Sequence, residues 1–216
     1  SSTNQIKQQL NFDDTIPTNS IINTSCNLRE QIQEKLKMYR IDAIDTSNIR
    51  KVLVDHEDNV WLGSRAGLFK VESFSNNTFK VRSLNKEMNT DFETNFNNSI
   101  IPSIVFSLFE DSKNNLWIGT LGDGLSKYNI KEKSFKRYDK NTGLIHETVF
   151  SLTEDHNGAI WIGGNKGLTK LNTERNTFIN FSKKDGLLSN SFNYNAVYKD
   201  LNNVLYFGSS KGINYF

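Results

Sequence analysis

Short apolar runs of about six residues, alternating with polar positions, recur along this chain between clusters of Asn, Asp, Gly and Ser. Phe106 and Leu108 alternate with Ser107 and Phe109, and Phe150 and Leu152 with Ser151 and Thr153. A period of two predicts β-strands, and the enrichment in Val, Phe and Thr agrees. Each run ends at an aspartate, Asp55, Asp111, Asp155 or Asp200. Next come Asp58-Asn59, Asn114-Asn115, Asn157-Gly158 and Asn202-Asn203, residues that tolerate positive φ and close tight hairpins. The second strand carries a ring six positions after the aspartate, Trp61, Trp117, Trp161 or Tyr206, and a glycine two further on, Gly63, Gly119, Gly163 or Gly208. Another glycine then turns the chain into a third strand, at 68–71, 125–128, 168–171 and 213–216, and runs at 79–81, 135–138 and 178–181 supply a fourth.

The anchor rings stand 56, 44 and 45 residues apart. A period near 44 built of short strands indicates propeller blades rather than helical repeats. The expected fold is therefore all-β, a β-propeller or propeller segment of four to five four-stranded antiparallel blades. Its repeats run over 49–83, 104–138, 149–181 and 195–216. A lone four-stranded sheet has two faces and two open edges, so blades must stack. In that stack the ring acts as a wedge, the glycine beyond it admits the neighbouring sheet, and the repeated aspartate accepts turn N–H groups. Residues 1–48 hold an N-terminal outer strand plus an insertion or a degenerate blade. In one reading 8–12 completes the last blade; in the other 21–49 is an extra blade, with 38–44 its outer strand. Residues 28–38 read as a short amphipathic helix, and 84–103 is an Asn-rich insertion.

Charge removes some function classes. The net +2 comes from 26 basic and 24 acidic residues spread evenly, which leaves no footprint for nucleic acid. Cys26 stands alone, so neither an intrachain disulfide nor a thiolate metal site is expected. No apolar run approaches the roughly 18 residues of a membrane span, and the chain reads as a soluble piece without direct membrane insertion. Asp55, Glu57 and Asp58 are too short a ladder for calcium, and no metal, cofactor or catalytic residue is expected. His56 and His156 hold equivalent turn positions. His146, with Glu147, precedes an innermost strand, which in propellers opens toward the channel mouth. The loops between second and third strands reach the same mouth, and their variable centres are Arg65, Asp123, Lys166 and Lys211. Asn190, Asn193 and Tyr194 complete this candidate ligand site with an apolar ring face and amides suited to sugar hydroxyls or carboxylates. The cations there favour an acidic ligand.

Residues 105–120 and 149–164 resemble two-component regulator propeller repeats, and 185–193 leading into 205–216 resembles the closing blade of such a region. The resemblance spans about 49–216. It implies the extracytoplasmic sensor region of hybrid histidine kinases best known from Bacteroidetes, which respond to breakdown products of complex polysaccharides. In that family an immunoglobulin-like domain, a membrane helix and a kinase core usually follow. A periplasmic, non-catalytic sensor is therefore expected, with an oligosaccharide or other small polar ligand and a homodimer formed through the parent receptor. A protein-interaction scaffold is the alternative, and a propeller lyase a third reading.

Overall fold

Every blade is organised by the hairpin that follows its aspartate. In a computed structural model the described residues are 40–42, 49–75, 78–85, 104–145 and 147–216. The backbone N–H of Asp55, Asp111, Asp155 and Asp200 bonds the carbonyl four residues on, while the carbonyl accepts from the N–H three residues on. That third residue has positive φ in all four copies: Asp58, Asn114, Gly158 and Asn203. This is why small polar residues or glycine occupy it. One carboxylate oxygen accepts the N–H groups of residues two and four positions on, at 2.8–3.0 Å. The other accepts the ring donor: Trp61 Nε1 at 2.8 Å, Trp117 Nε1 at 2.7 Å, Trp161 Nε1 at 3.0 Å and the Tyr206 hydroxyl at 3.3 Å. The six-residue spacing is thus the reach of one carboxylate across its own hairpin.

The described residues fall into two compact units, one of 49–70, 82–85, 104–145 and 147–216, the other of 40–42, 71–75 and 78–81. In the larger unit β2 (Ile49–Val54), β3 (Val60–Ser64) and the start of β4 (Gly67–Ser75) form an antiparallel meander. The second blade is β6 (Val105–Glu110), β7 (Asn115–Thr120), β8 (Leu125–Asn129) and β9 (Ser134–Tyr138). The third is β10 (Val149–Glu154), β11 (Ile160–Gly164), β12 (Leu168–Asn172) and β13 (Thr177–Phe181). The fourth shows three strands, β14 (Phe192–Lys199), β15 (Leu205–Ser209) and β16 (Gly212–Tyr215). Two 3-10 turns, Lys140–Thr142 and Lys183–Asp185, follow the outer strands of the second and third blades. In the smaller unit β1 (Arg40–Asp42) pairs in parallel with β5 (Thr78–Ser83). Arg40–Asp42 falls inside the outer strand read at 38–44. The strand expected at 8–12 and the helix expected at 28–38 lie outside the described residues.

Successive sheets of the larger unit stack through three apolar cores, one per joint. Trp61, Leu68 and Leu84 meet Val105, Leu108, Leu116 and Ile118. Trp117, Leu125 and Tyr138 meet Val149, Leu152, Ile160 and Ile162. Trp161 and Leu168 meet Phe192, Leu205 and Phe207. All three indoles are buried. A Cβ on Gly63 would fall 2.6 Å from Val105 Cγ1, and one on Gly119 would fall 2.5 Å from Val149 Cγ1. Glycine is required there because the innermost strand of the following blade lies against it. On the other side of each ring a lysine from the paired strand stands over the indole: Lys70, Lys127 and Lys170, 5.3–5.8 Å from the ring centre. Leu84, at the start of the 84–103 insertion, is core, and its N–H bonds the Leu68 carbonyl.

Carboxylates pin the joints at their hairpin end. Glu110 Oε2 accepts the His56 N–H at 2.9 Å and its other oxygen meets His56 Nδ1, while Glu154 accepts the Ser112 N–H and hydroxyl, both at 2.8 Å. Lys199 holds the equivalent position in the fourth blade. The hydrogen bond to Glu110, together with the Glu57 and Asp55 carboxylates, raises the His56 pKa above its ordinary value. Burial pushes the Asp155 carboxyl up, but Lys170, whose Nζ is 2.8 Å away, the Trp161 N–H and two backbone N–H groups outweigh it and hold the pKa below the usual carboxylate range.

Candidate functional site

The innermost strands do not alternate as their sequences suggest. In β2 the ladder pairs Ile49 with Ser64 and then Lys51 with Gly63, so Arg50 drops out as a bulge. Phe106 in β6 and Phe150 in β10 drop out at the same register, which puts Val105 rather than Phe106 into the joint core beside Leu108. In β14 the ladder passes from Phe192–Ser209 to Val197–Phe207, leaving Asn193, Tyr194, Asn195 and Ala196 opposite Gly208 alone, with Asn195 at φ 51°. A bulge re-aims the side chain it expels. Here the expelled rings meet: Phe106 lies 5.6 Å edge-on from Phe150 and 4.8 Å stacked on Tyr194, and Phe150 lies 4.4 Å from Tyr194. The Arg50 guanidinium stands 4.6 Å over the Phe106 ring. Asn195 Nδ2 donates to the Phe106 carbonyl at 3.2 Å, tying the fourth blade to the second. Phe106 is buried, Phe150 half-buried, and Tyr194 is 58% exposed.

Because each bulge follows the first residue of its strand, it lies at the blade end that carries the loops between second and third strands. Those loops share a frame: the Ser64, Thr120 and Ser209 hydroxyls donate to the Gly67, Gly124 and Gly212 carbonyls at 2.8–3.2 Å and accept a loop N–H. Arg65 and Lys211 are exposed on this frame; in the third loop Gly164 takes the place of the hydroxyl residue, and Lys166 is exposed. Asp123 is half-buried and pairs with Arg137 at 3.1 Å. Asn190 is exposed, but its Oδ1 accepts the Lys183 N–H at 2.8 Å at the 3-10 turn. Asn193 is exposed beside Tyr194. His146 lies outside the described residues. Its neighbour Glu147 accepts the Gly122 and Gly124 N–H groups on its carbonyl and Lys140 Nζ on its carboxylate at 2.8 Å. Sequence reasoning included Tyr194 and Asn193 in the site but missed Arg50, Phe106 and Phe150. The available signal was the residue after the first apolar position of each repeat, which is Arg50 in the first and Phe106 and Phe150 in the second and third.

Among the described residues no three His, Cys, Asp or Glu side chains are grouped to hold a metal ion, and no helix is long and apolar enough to cross a membrane. The arrangement offers ring faces, amides and cations, which bind and orient polar molecules.

The family model of the two component regulator propeller matches residues 99–122 and 143–166. Histidine kinase P4 of Formosa agariphila is 28% identical over 173 residues, covering 79% of this chain and 12% of that relative. Among solved structures, the extracellular domain of a hybrid two component system from B. thetaiotaomicron aligns with a TM-score of 0.61 at 20% identity, over 80% of this chain and 21% of that one. Virginiamycin B lyase from Staphylococcus aureus aligns at 0.53 with 11% identity, over 81% of this chain and 57% of that one. At such identities the structural matches establish the propeller fold alone. The matched segments contain the second and third hairpin frames, Asp111 with Trp117 and Asp155 with Trp161, and over these two segments the chain is similar to the two component regulator propeller.

Proposed function

We propose that this chain is the ligand-sensing propeller of a two-component signalling receptor, lying on the extracytoplasmic side of the membrane, and that it binds a carbohydrate-like ligand without transforming it. The observation that carries this reading is the contrast between a constant frame and a varied rim. The Asp, ring and Gly positions repeat, with the ring bonded to the aspartate in every blade, whereas the rim carries cations at Arg65, Lys166 and Lys211 and a carboxylate at Asp123. Such an arrangement lets ligand contacts vary while packing persists. Binding transmits a signal only if the ligand's affinity differs between two receptor arrangements, so that it shifts their populations. The family match and the histidine kinase relative support the signalling context. Calorimetric titration against a panel of oligosaccharides tests the reading. At least one binds, and Lys166→Ala with Lys211→Ala weakens that binding while leaving the melting temperature nearly unchanged. A folded protein that binds no member of the panel overturns the carbohydrate reading.

A scaffold role is the second reading, and one observation favours it. Tyr198, Tyr206 and Tyr215 form a ladder across the fourth blade, ring centres 6.3 and 6.0 Å apart, and Tyr198 and Tyr215 are largely exposed. Exposed aromatic area of this kind suits a protein partner.

A further inference from the structure

We propose that the bulge cluster of the innermost strands, Arg50, Phe106, Phe150 and Tyr194 with Asn193, is the ligand subsite itself, and that it takes a sugar residue bearing a carboxylate. This rests on the sensing role proposed above and names the place and the ligand class within it.

Three observations lead there. First, each of the four ladders breaks just after the first residue of its innermost strand, and the residues left out there are Arg50, Phe106, Phe150 and the segment that holds Asn193 and Tyr194. A bulge gives up ladder hydrogen bonds and persists where it re-aims a side chain. The fourth blade passes over four residues, 193–196, where the others pass over one, and it sets Asn195 in the left-handed region. Second, Tyr194 remains 58% exposed although its ring contacts both phenylalanines. Buried Phe106 and half-buried Phe150 fix its orientation, so its open surface is a pre-set platform for the apolar face of a pyranose. Exposed Asn193 supplies an amide donor and acceptor beside it. Third, Arg50 stands over Phe106 with no carboxylate pairing its guanidinium among the described residues. A guanidinium over a ring meets an apolar surface there, which leaves its N–H groups to donate to a bidentate carboxylate. Together these groups ask for a ring that is apolar on one face, hydroxylated at its edge and anionic at one substituent.

The test is calorimetric titration of the chain with trimers of galacturonate, glucuronate and mannuronate, and with their methyl esters, which keep the shape and remove the charge. The expected result is that one acidic trimer binds at least tenfold more tightly than its ester. Arg50→Gln abolishes that preference, so that acid and ester bind alike, and Tyr194→Ala weakens acid and ester alike by at least tenfold. Melting curves of both variants accompany the titrations, because Tyr194 also touches the cluster; a variant that fails to fold is replaced by Tyr194→Leu, which keeps apolar bulk without the ring face. Equal affinity for acid and ester, no binding of any acidic trimer, or unchanged preference in Arg50→Gln overturns the assignment. If neutral oligosaccharides bind and neither variant weakens them, this subsite fails while the sensing role stands. If no sugar of either kind binds, both fail.

Discussion

A single carboxylate oxygen on each repeated aspartate decides how the anchor ring is held. In the second blade Asp111 accepts the Trp117 indole N–H at 2.7 Å with its remaining capacity filled by the Lys113 and Asn115 N–H groups and the Asn115 amide. Both partners are buried, so removing the donor leaves part of a buried charge unsatisfied. Trp117→Phe keeps most of the apolar wedge and should cost about 1–3 kcal/mol, whereas Trp117→Ala also opens a cavity and should cost about 3–5 kcal/mol. Urea denaturation separates the two: similar losses would mean that volume alone matters and the hydrogen bond adds nothing. Tyr206→Phe should leave the midpoint nearly unmoved, since its hydroxyl bond to Asp200 is longer, at 3.3 Å, and less enclosed.

Strands and hairpins were legible because their determinants are local. The alternating run, the aspartate and the residue with positive φ three positions on all lie within one hairpin, so β6 with β7 and β10 with β11 follow from sequence alone. The bulges were not legible. Whether Phe106 stays in the ladder depends on how Val105 and Ser107 pair with Thr120 and Gly119, and the short pattern reads equally well either way. The same limit hid Arg50 and Phe150 and moved the start of β14 back to Phe192. The polar pins of the joints were invisible for a related reason: Glu110 and Glu154 precede the repeated aspartates yet bond the preceding blade's turn. One of these joints titrates. His56 has a folded-state pKa raised first by its hydrogen bond to Glu110. The contribution of the charged contact is therefore complete below the unfolded value of about 6.5 and is lost as pH rises through the raised folded value. Urea midpoints of wild type and His56→Gln, compared from about pH 5.5 to about pH 8.5, should converge toward the alkaline end. A constant gap would show that the imidazolium adds nothing to this joint.

Across the larger unit, equivalent positions differ in one respect that separates interior from end. Leu68, Leu125 and Leu168 pair with Gly63, Gly119 and Gly163 and are fully buried by the following blade, while Ile213, paired with Gly208, is 62% exposed. At the opposite end Val52 is 54% exposed, although its counterparts Leu108 and Leu152 are buried. Stacked repeats derive much of their stability from nearest-neighbour interfaces, so a substitution should matter in proportion to the joint it sits in. Leu168→Ala removes a side chain enclosed between the third and fourth blades and should cost about 2–5 kcal/mol. Ile213→Ala, chemically the same kind of truncation in the same frame, should stay within about 0.5 kcal/mol. Denaturant midpoints measured at two protein concentrations decide the matter. Equal losses at both positions would mean that the face around Ile213 is covered in solution. A loss for Ile213→Ala that grows with protein concentration would identify the cover as another copy of the chain, because association stabilises by mass action whereas an intrachain contact does not. A small, concentration-independent loss would leave the tyrosine ladder of the fourth blade exposed to solvent and available to a partner.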